Sequence, residues 1–189
     1  MSSTEATLDS TQRATLRQLA RESIAHGLRH GRPLPVDASA YSEDLRVPRA
    51  TFVTLEENGE LRGCIGTLEA HRPLVADVAD NAFNAAFRDP RFPPLMSEEL
   101  DSLDIHISVL SPPAPMHFCD EADLLAQLRP GIDGLILTAS GHRGTFLPSV
   151  WVSLPKAEDF LRHLKRKAGL AADFWSPEIR VERYTTEAF

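Results

Sequence analysis

The stretch TFVTLEENGELRGCIGTL, residues 51–68, decides the fold. Its halves TFVTLEE and ELRGCIGTL flank Asn58-Gly59, a pair that tolerates the positive φ angles of a tight turn, so the stretch reads as an antiparallel hairpin. Glycine weakens a strand interior, so Gly63 and Gly66 mark a place where something approaches the backbone closely. Between them sits Cys64, with Arg62 two residues earlier and therefore on the same face of an extended strand. A nearby guanidinium favours thiolate over thiol, which is how a cysteine becomes nucleophilic or redox-active. The plainer reading of Cys64 is a small hydrophobe filling space beside the following helix.

Downstream of the hairpin, Pro73 suits a first helical turn, and Leu74, Val75, Val78, Ala82, Phe83 and Ala86 form an apolar stripe over about four turns. Asn81 projects near that stripe, either to meet a ligand or to satisfy adjacent backbone. RDPRFPPLM is stiffened by three prolines, and Arg88, Asp89 and Arg91 around Pro90 place a fixed guanidinium suited to bidentate recognition of a carboxylate or phosphate. DIHISVL then alternates as a strand, with Ile105, Ile107 and Val109 on one face and His106 on the other. His106 is the preferred partner base for Cys64. Upstream, Leu16, Leu19, Ala20, Ile24 and Leu28 recur at helical spacing between capping candidates at Asp9–Thr11 and Gly31.

SPPAP at 111–115 reads as a rigid linker between halves, followed by a short capped helix in DEADLLAQL. GLILTASGHRGTFLPSV makes a second hairpin around Ser140-Gly141, Pro155 precedes a helix carrying Phe160, Leu161 and Leu164, and EIRVERY closes as a strand. Turn Gly59 matches Gly141, Arg62-Gly63 matches Arg143-Gly144, and Pro73 matches Pro155, at offsets of 81 or 82. The expected architecture is α+β: a mostly antiparallel sheet covered by helices, in two intimately packed subdomains that duplicate a strand-strand-helix-strand unit around one core.

A length of 189 residues, 42% hydrophobic and 25% charged, fits one domain. The opening MSSTEATLDSTQRATL lacks a basic leader with an apolar centre, and no apolar run approaches the roughly 18 residues that cross a bilayer, so a cytoplasmic protein is expected. Cys64 and Cys119 are too few for a disulfide scaffold. A formal net charge of −7 disfavours a grip on phosphate backbones, so nucleic acid is an unexpected partner. His26 with His30, and His117 with Cys119, lack the further ligands that a metal wants, and no metal is expected. No phosphate-binding loop, dinucleotide fingerprint, His-Glu-x-x-His motif or Gly-x-Ser-x-Gly elbow occurs, so no cofactor is indicated either.

LRGCIG at 61–66, followed in order by NAFNAAFRDPRFPPL, ISVLSPP, PGIDGLIL, FLPSVW and FLRHLKRKAGL, closely resembles the AMMECR domain family, particularly its AmmeMemoRadiSam system protein A group. The resemblance covers about residues 9–189 as a single domain, and LRGCIG is the family's hallmark hexapeptide, unaltered here. It implies a compact α+β fold with two subdomains, a cleft near the hexapeptide, and association with a Memo-like protein and a radical SAM protein. It marks Arg62, Gly63, Cys64 and Gly66 as the site without assigning a reaction. Ser149 stands where members usually have a Gln after LP, which puts a contact by that amide in doubt. Two functions fit the residues. In one, Cys64 and His106 carry chemistry on a small or anionic substrate bound by Arg62, Gly63, Gly66, Asn81 and Arg91. In the other, a noncatalytic adaptor lets a partner peptide approach the glycine-rich strand.

Overall fold

The computed structural model describes residues 7–189. The chain forms two units, one comprising the residues up to Ser111 with Glu187–Phe189, the other Pro112–Thr186. The boundary falls within SPPAP, where prolines supply no donors to a ladder and hold the chain extended.

In the first unit, helix α1 (Ser10–His30) opens on a capping box. The Asp9 carboxylate accepts from the Gln12 N–H, the Gln12 side chain accepts from the Asp9 N–H, and Gly31 closes the helix at φ 66°. A four-residue helix α2 (Glu43–Arg46) interrupts the proline-rich crossing. Strands β1 (Thr51–Glu57) and β2 (Glu60–Gly66) form the hairpin, with Asn58 at φ 53° and Gly59 at φ 80°. Helix α3 (Leu74–Phe87) and strand β3 (Leu103–Leu110) follow.

In the second unit come β4 (Ala114–Pro115), α4 (Glu121–Gln127), β5 (Gly134–Ala139), β6 (His142–Phe146), α5 (Ala157–Lys167) and β7 (Arg180–Tyr184). The chain then returns as β8 (Thr186–Ala188), and Phe189 exchanges both main-chain hydrogen bonds with Ile107 of β3.

The strands divide into two four-stranded sheets, in the orders β2-β1-β3-β8 and β4-β7-β5-β6, with antiparallel ladders. Each unit places the first strand of its hairpin between the second strand and the strand that follows its helix. This shared connectivity is what the matched turn residues anticipate. The apolar side chains, however, gather in two cores and not one. Val53, Leu55, Ile105 and Ile107 pack with α1 and α3, whereas Leu135, Leu137 and Val181 pack with α5. Each sheet buries one face against its own helices, so each hairpin builds its own core.

The two hairpins differ by one residue. In β5 and β6 the pairing runs without interruption from Ala139↔His142 to Leu135↔Phe146. In β1 and β2, Glu56 pairs with Leu61 but Leu55 pairs with Gly63, so Arg62 is the extra residue of a β-bulge. That insertion explains why the matched glycines sit at two different offsets. It also makes Gly63 the counterpart of Gly144 while leaving Arg62 without a counterpart in the ladder.

Candidate functional site

The bulge decides which way the hexapeptide faces. Counted back from the two-residue turn, a regular hairpin would set Cys64 opposite Val53, a core residue. The extra Arg62 moves Cys64 opposite Thr54, and a one-residue shift of register reverses the face. Val53 and Leu55 point into the core with Ile107 and Ile105, their partners on β3. The other face carries Thr54, Cys64 and His106 in one transverse row across β1, β2 and β3, with Phe52, Gly66 and Ser108 in the next row. Cys64 is half-buried there.

Neither glycine of the hexapeptide leaves its space vacant. A Cβ at Gly63 would overlap the carbonyl oxygen of Ala85 in α3, with the carbonyl carbon at 3.0 Å. A Cβ at Gly66 would fall within the Phe52 ring, whose Cδ2 lies 2.5 Å away. The close approach expected at these glycines is thus intramolecular, by a helix backbone on one face and an aromatic ring on the other.

Around Cys64 two elements converge, β1 and the loop after α3. The Thr54 hydroxyl donates to Sγ at 3.2 Å across the ladder. The loop after α3 delivers Asp89, whose Oδ2 accepts the backbone N–H of Cys64 at 2.9 Å and so covers a donor on the outer edge of an edge strand. Arg91 grips the same carboxylate through Nε at 3.0 Å and Nη2 at 2.7 Å, and its own N–H adds a third bond at 3.1 Å. Those hydrogen bonds from Arg91 hold the Asp89 carboxyl well below the usual carboxylate range, against the opposing push of burial. Arg91 is raised in turn, chiefly by its hydrogen bond to Asp89 and more weakly by the electrostatic influence of Asp89 and Cys64.

Arg62, with 11% of its side chain exposed, donates Nε at 2.6 Å and Nη2 at 3.2 Å to Glu99. Its Nη1 is buried without a hydrogen-bond partner among the described residues. The guanidiniums of Arg62 and Arg91 lie 6.0 and 5.5 Å from the Phe92 ring centroid, so one aromatic side chain orients both. Each guanidinium is matched by a carboxylate, and the four groups together carry no net charge.

Asn81 is buried and donates Nδ2 to Thr51 O, Thr51 Oγ1 and Asp77 Oδ2 at 3.0–3.1 Å, within a network that also draws in Thr67 and Arg72. Its amide nitrogen serves the fold. His106 is about half exposed and lies 3.5 Å from Glu56. It shares the row with Cys64 but stands two strands away, about 10 Å at the usual strand spacing, so direct proton transfer between them is out of reach and water must intervene. A groove of about 530 Å³ between α1 and β3 is lined by Arg17, Arg21, Asp104 and His106.

Thr54, Asp89 and Glu99 are the site residues that the sequence reading passed over or left unassigned. Thr54 could have been found only by locating the bulge. Asp89 and Glu99 reach the hexapeptide from 25 and 37 residues away, which no local pattern encodes. The His26 and His30 rings lie 4.3 Å apart, and among the described residues no group of three or more His, Cys, Asp or Glu is placed to hold a metal. No helix among the described residues is long and apolar enough to cross a membrane.

A family model described as AMMECR1 matches residues 17–189. A protein of Methanothermobacter thermautotrophicus is 42% identical over 177 residues, covering 93% of this chain and 92% of its own. One from Thermotoga maritima is 36% identical over 168 residues, covering 88% of this chain and 91% of its own. The crystal structure of the uncharacterized protein PH0010 from Pyrococcus horikoshii matches with a TM-score of 0.84 at 34% identity, over 92% of this chain and 88% of that one.

Proposed function

The chain belongs to the AMMECR1 family, and on that premise we propose that it is a cysteine-dependent enzyme, or the cysteine-bearing component of one, acting at Cys64 on a small or anionic substrate. The observation that carries this reading is the outward turn of Cys64. An inserted residue that the second hairpin does without sets the thiol on the face away from the helices, beside a hydroxyl donor and a charged pair. The adaptor reading loses its main support, because Gly63 and Gly66 are occupied by Ala85 and Phe52.

In the proposed chemistry the Cys64 thiol loses its proton through water, with His106 as the nearest imidazole of the row. The sulfur forms one bond to an electrophilic centre of the substrate as the leaving group departs with the bonding pair and takes up a proton. A second acceptor, itself bearing a proton, then takes the transferred group and returns that proton to the sulfur. Arg91, with over half its side chain exposed, is the donor for an anionic group, and Arg62, paired with Glu99, adds its charge from beneath. The reading carries with it a cytoplasmic setting, in which Cys64 and Cys119 stay thiols, and the Memo-like and radical SAM partners that the resemblance implies.

The test uses p-nitrophenyl acetate as a model acyl donor. A burst of p-nitrophenol with acetylated Cys64 is expected, retained in Cys119→Ser and lost in Cys64→Ser. An equal burst in Cys64→Ser contradicts the reading. For the partners, purified Memo-like and radical SAM proteins should be retained on the immobilised chain, and failure of both to bind removes them from the proposal.

A further inference from the structure

Behind Cys64 the charged pair has a second consequence, apart from the donor that Arg91 offers to an anionic group. The same oxygen, Asp89 Oδ2, accepts the Cys64 backbone N–H at 2.9 Å and the Arg91 Nη2 at 2.7 Å. Only 2% of the Asp89 side chain is exposed, whereas 55% of that of Arg91 is. A buried anion and a partly solvated cation are thus fixed as a pair against the backbone of the nucleophile. An acceptor sufficient to cover one strand-edge donor would need no charge, and an Asn could supply it.

We infer that Asp89 and Arg91 act as an opposed pair of positioning residues that set the reactivity of Cys64, the carboxylate restraining thiolate formation and the guanidinium promoting it. The inference rests on the reading of Cys64 as the reactive group. The charged groups around the thiol are few. Asp89 and Arg91 come from the loop after α3, Arg62 from its own strand with Glu99 as partner, and His106 with Glu56 from across the sheet. Because Arg62 and Glu99 neutralise each other, the balance between Asp89 and Arg91 is the lever. Removing the anion leaves an unmatched cation beside the sulfur, and removing the cation leaves an unmatched anion, so the two substitutions act with opposite sign.

The experiment is iodoacetamide alkylation of Cys64 from pH 5 to 10 in a Cys119→Ser background, where Cys64 is the sole thiol. Asp89→Asn keeps an acceptor for the Cys64 N–H but drops the charge, and should raise the rate at pH 7 about threefold to tenfold. Arg91→Gln should lower it by a similar factor, the range expected for one unit charge beside a partly solvated site. Arg91→Lys should return the rate toward that of the parent, and the double variant should lie close to it. Two single variants that move the pH profile in the same direction, or leave it in place, overturn the inference while the reactive thiol stands. A parent protein whose Cys64 is unlabelled until it unfolds removes the reading itself. Should Asp89→Asn fail to fold, the Gln and Lys variants at the exposed Arg91 carry the test, and equal profiles for those two overturn it.

Discussion

Gly63→Ala is the substitution whose effect the fold determines most sharply. A Cβ at this position would overlap the Ala85 carbonyl oxygen and lie 3.0 Å from its carbon, and both atoms belong to helix backbone. No side-chain rotation relieves the overlap. Helix α3 must retreat from β2 by about 1 Å, which loosens Leu74, Val78 and Ala82 in the core along with Ala85. Overpacking costs about 1–3 kcal/mol where neighbours can adjust, and a rigid backbone neighbour puts Gly63→Ala at the top of that range, about 3 kcal/mol or more. Against a typical stability of about 5–15 kcal/mol this is a large fraction, lowering the thermal midpoint by about 6–12 °C for a chain of this size. The assay is far-UV circular dichroism on heating, with tryptophan fluorescence alongside. Both tryptophans, Trp151 and Trp175, lie in the second unit, so the pair of signals separates damage to the first unit from global loss. Gly66→Ala is the comparison: its Cβ meets the Phe52 ring from Cγ outward and no helix backbone, so Phe52 must change its χ1 rotamer, at about 1–2 kcal/mol. A Gly63→Ala protein within about 0.5 kcal/mol of the parent would refute the packing argument, since ordinary surface substitutions fall in that band.

Four further outcomes follow from the geometry. Asp77 accepts hydrogen bonds from the Thr51 N–H and hydroxyl, Thr67, Arg72 and Asn81, so Asp77→Ala should cost about 3–5 kcal/mol in urea unfolding, and Asn81→Ala about 1–3. Lys165 is fully buried with Nζ 2.8 Å from Glu121 and over the Trp175 ring, so Glu121→Gln, which keeps an acceptor but removes the counter-charge, should destabilise by about 1–2 kcal/mol, whereas Lys165→Met should lie within about 1 kcal/mol of the parent. Asp89 has a depressed folded value, so its contribution is fully present above the unfolded carboxylate range near pH 4 and is withdrawn as pH falls below it; the drop in urea midpoint between pH 5 and pH 2.5 should be smaller in Asp89→Asn. Burial raises the Tyr184 hydroxyl to about 12, so spectrophotometric titration should show a late phenolate step that is absent from Tyr184→Phe, and Tyr184 stabilises the fold below its unfolded value of about 10, with that contribution lost between there and 12.

How much of this was legible depended on how local the cause was. Asn58-Gly59 and Ser140-Gly141 announce their turns because positive φ is a property of those residues themselves. The α3 stripe and the alternation of β3 were equally readable, since each repeats at the period of its element. The strands β4 and β8 were not, because pairs and triplets of residues at sheet edges, one containing Pro115, carry no period. At the site, the glycines signal points of close approach, but what approaches is fixed by the placement of α3 and by the Phe52 ring. The row Cys64, Thr54 and His106 was hidden by the bulge at Arg62, which shifts register without leaving a signature in the hexapeptide.

The proposed role of Cys64 requires an outward-facing, reactive thiol, and the chain supplies its own reference in Cys119, which is exposed. Native protein is treated with limiting iodoacetamide near pH 6.5, and the modified fraction of each cysteine is read by peptide mass spectrometry. Labelling of Cys64 ahead of Cys119, despite its smaller exposure, is the predicted result. Labelling of Cys119 alone, with Cys64 modified only after denaturant unfolds the first sheet, would contradict it.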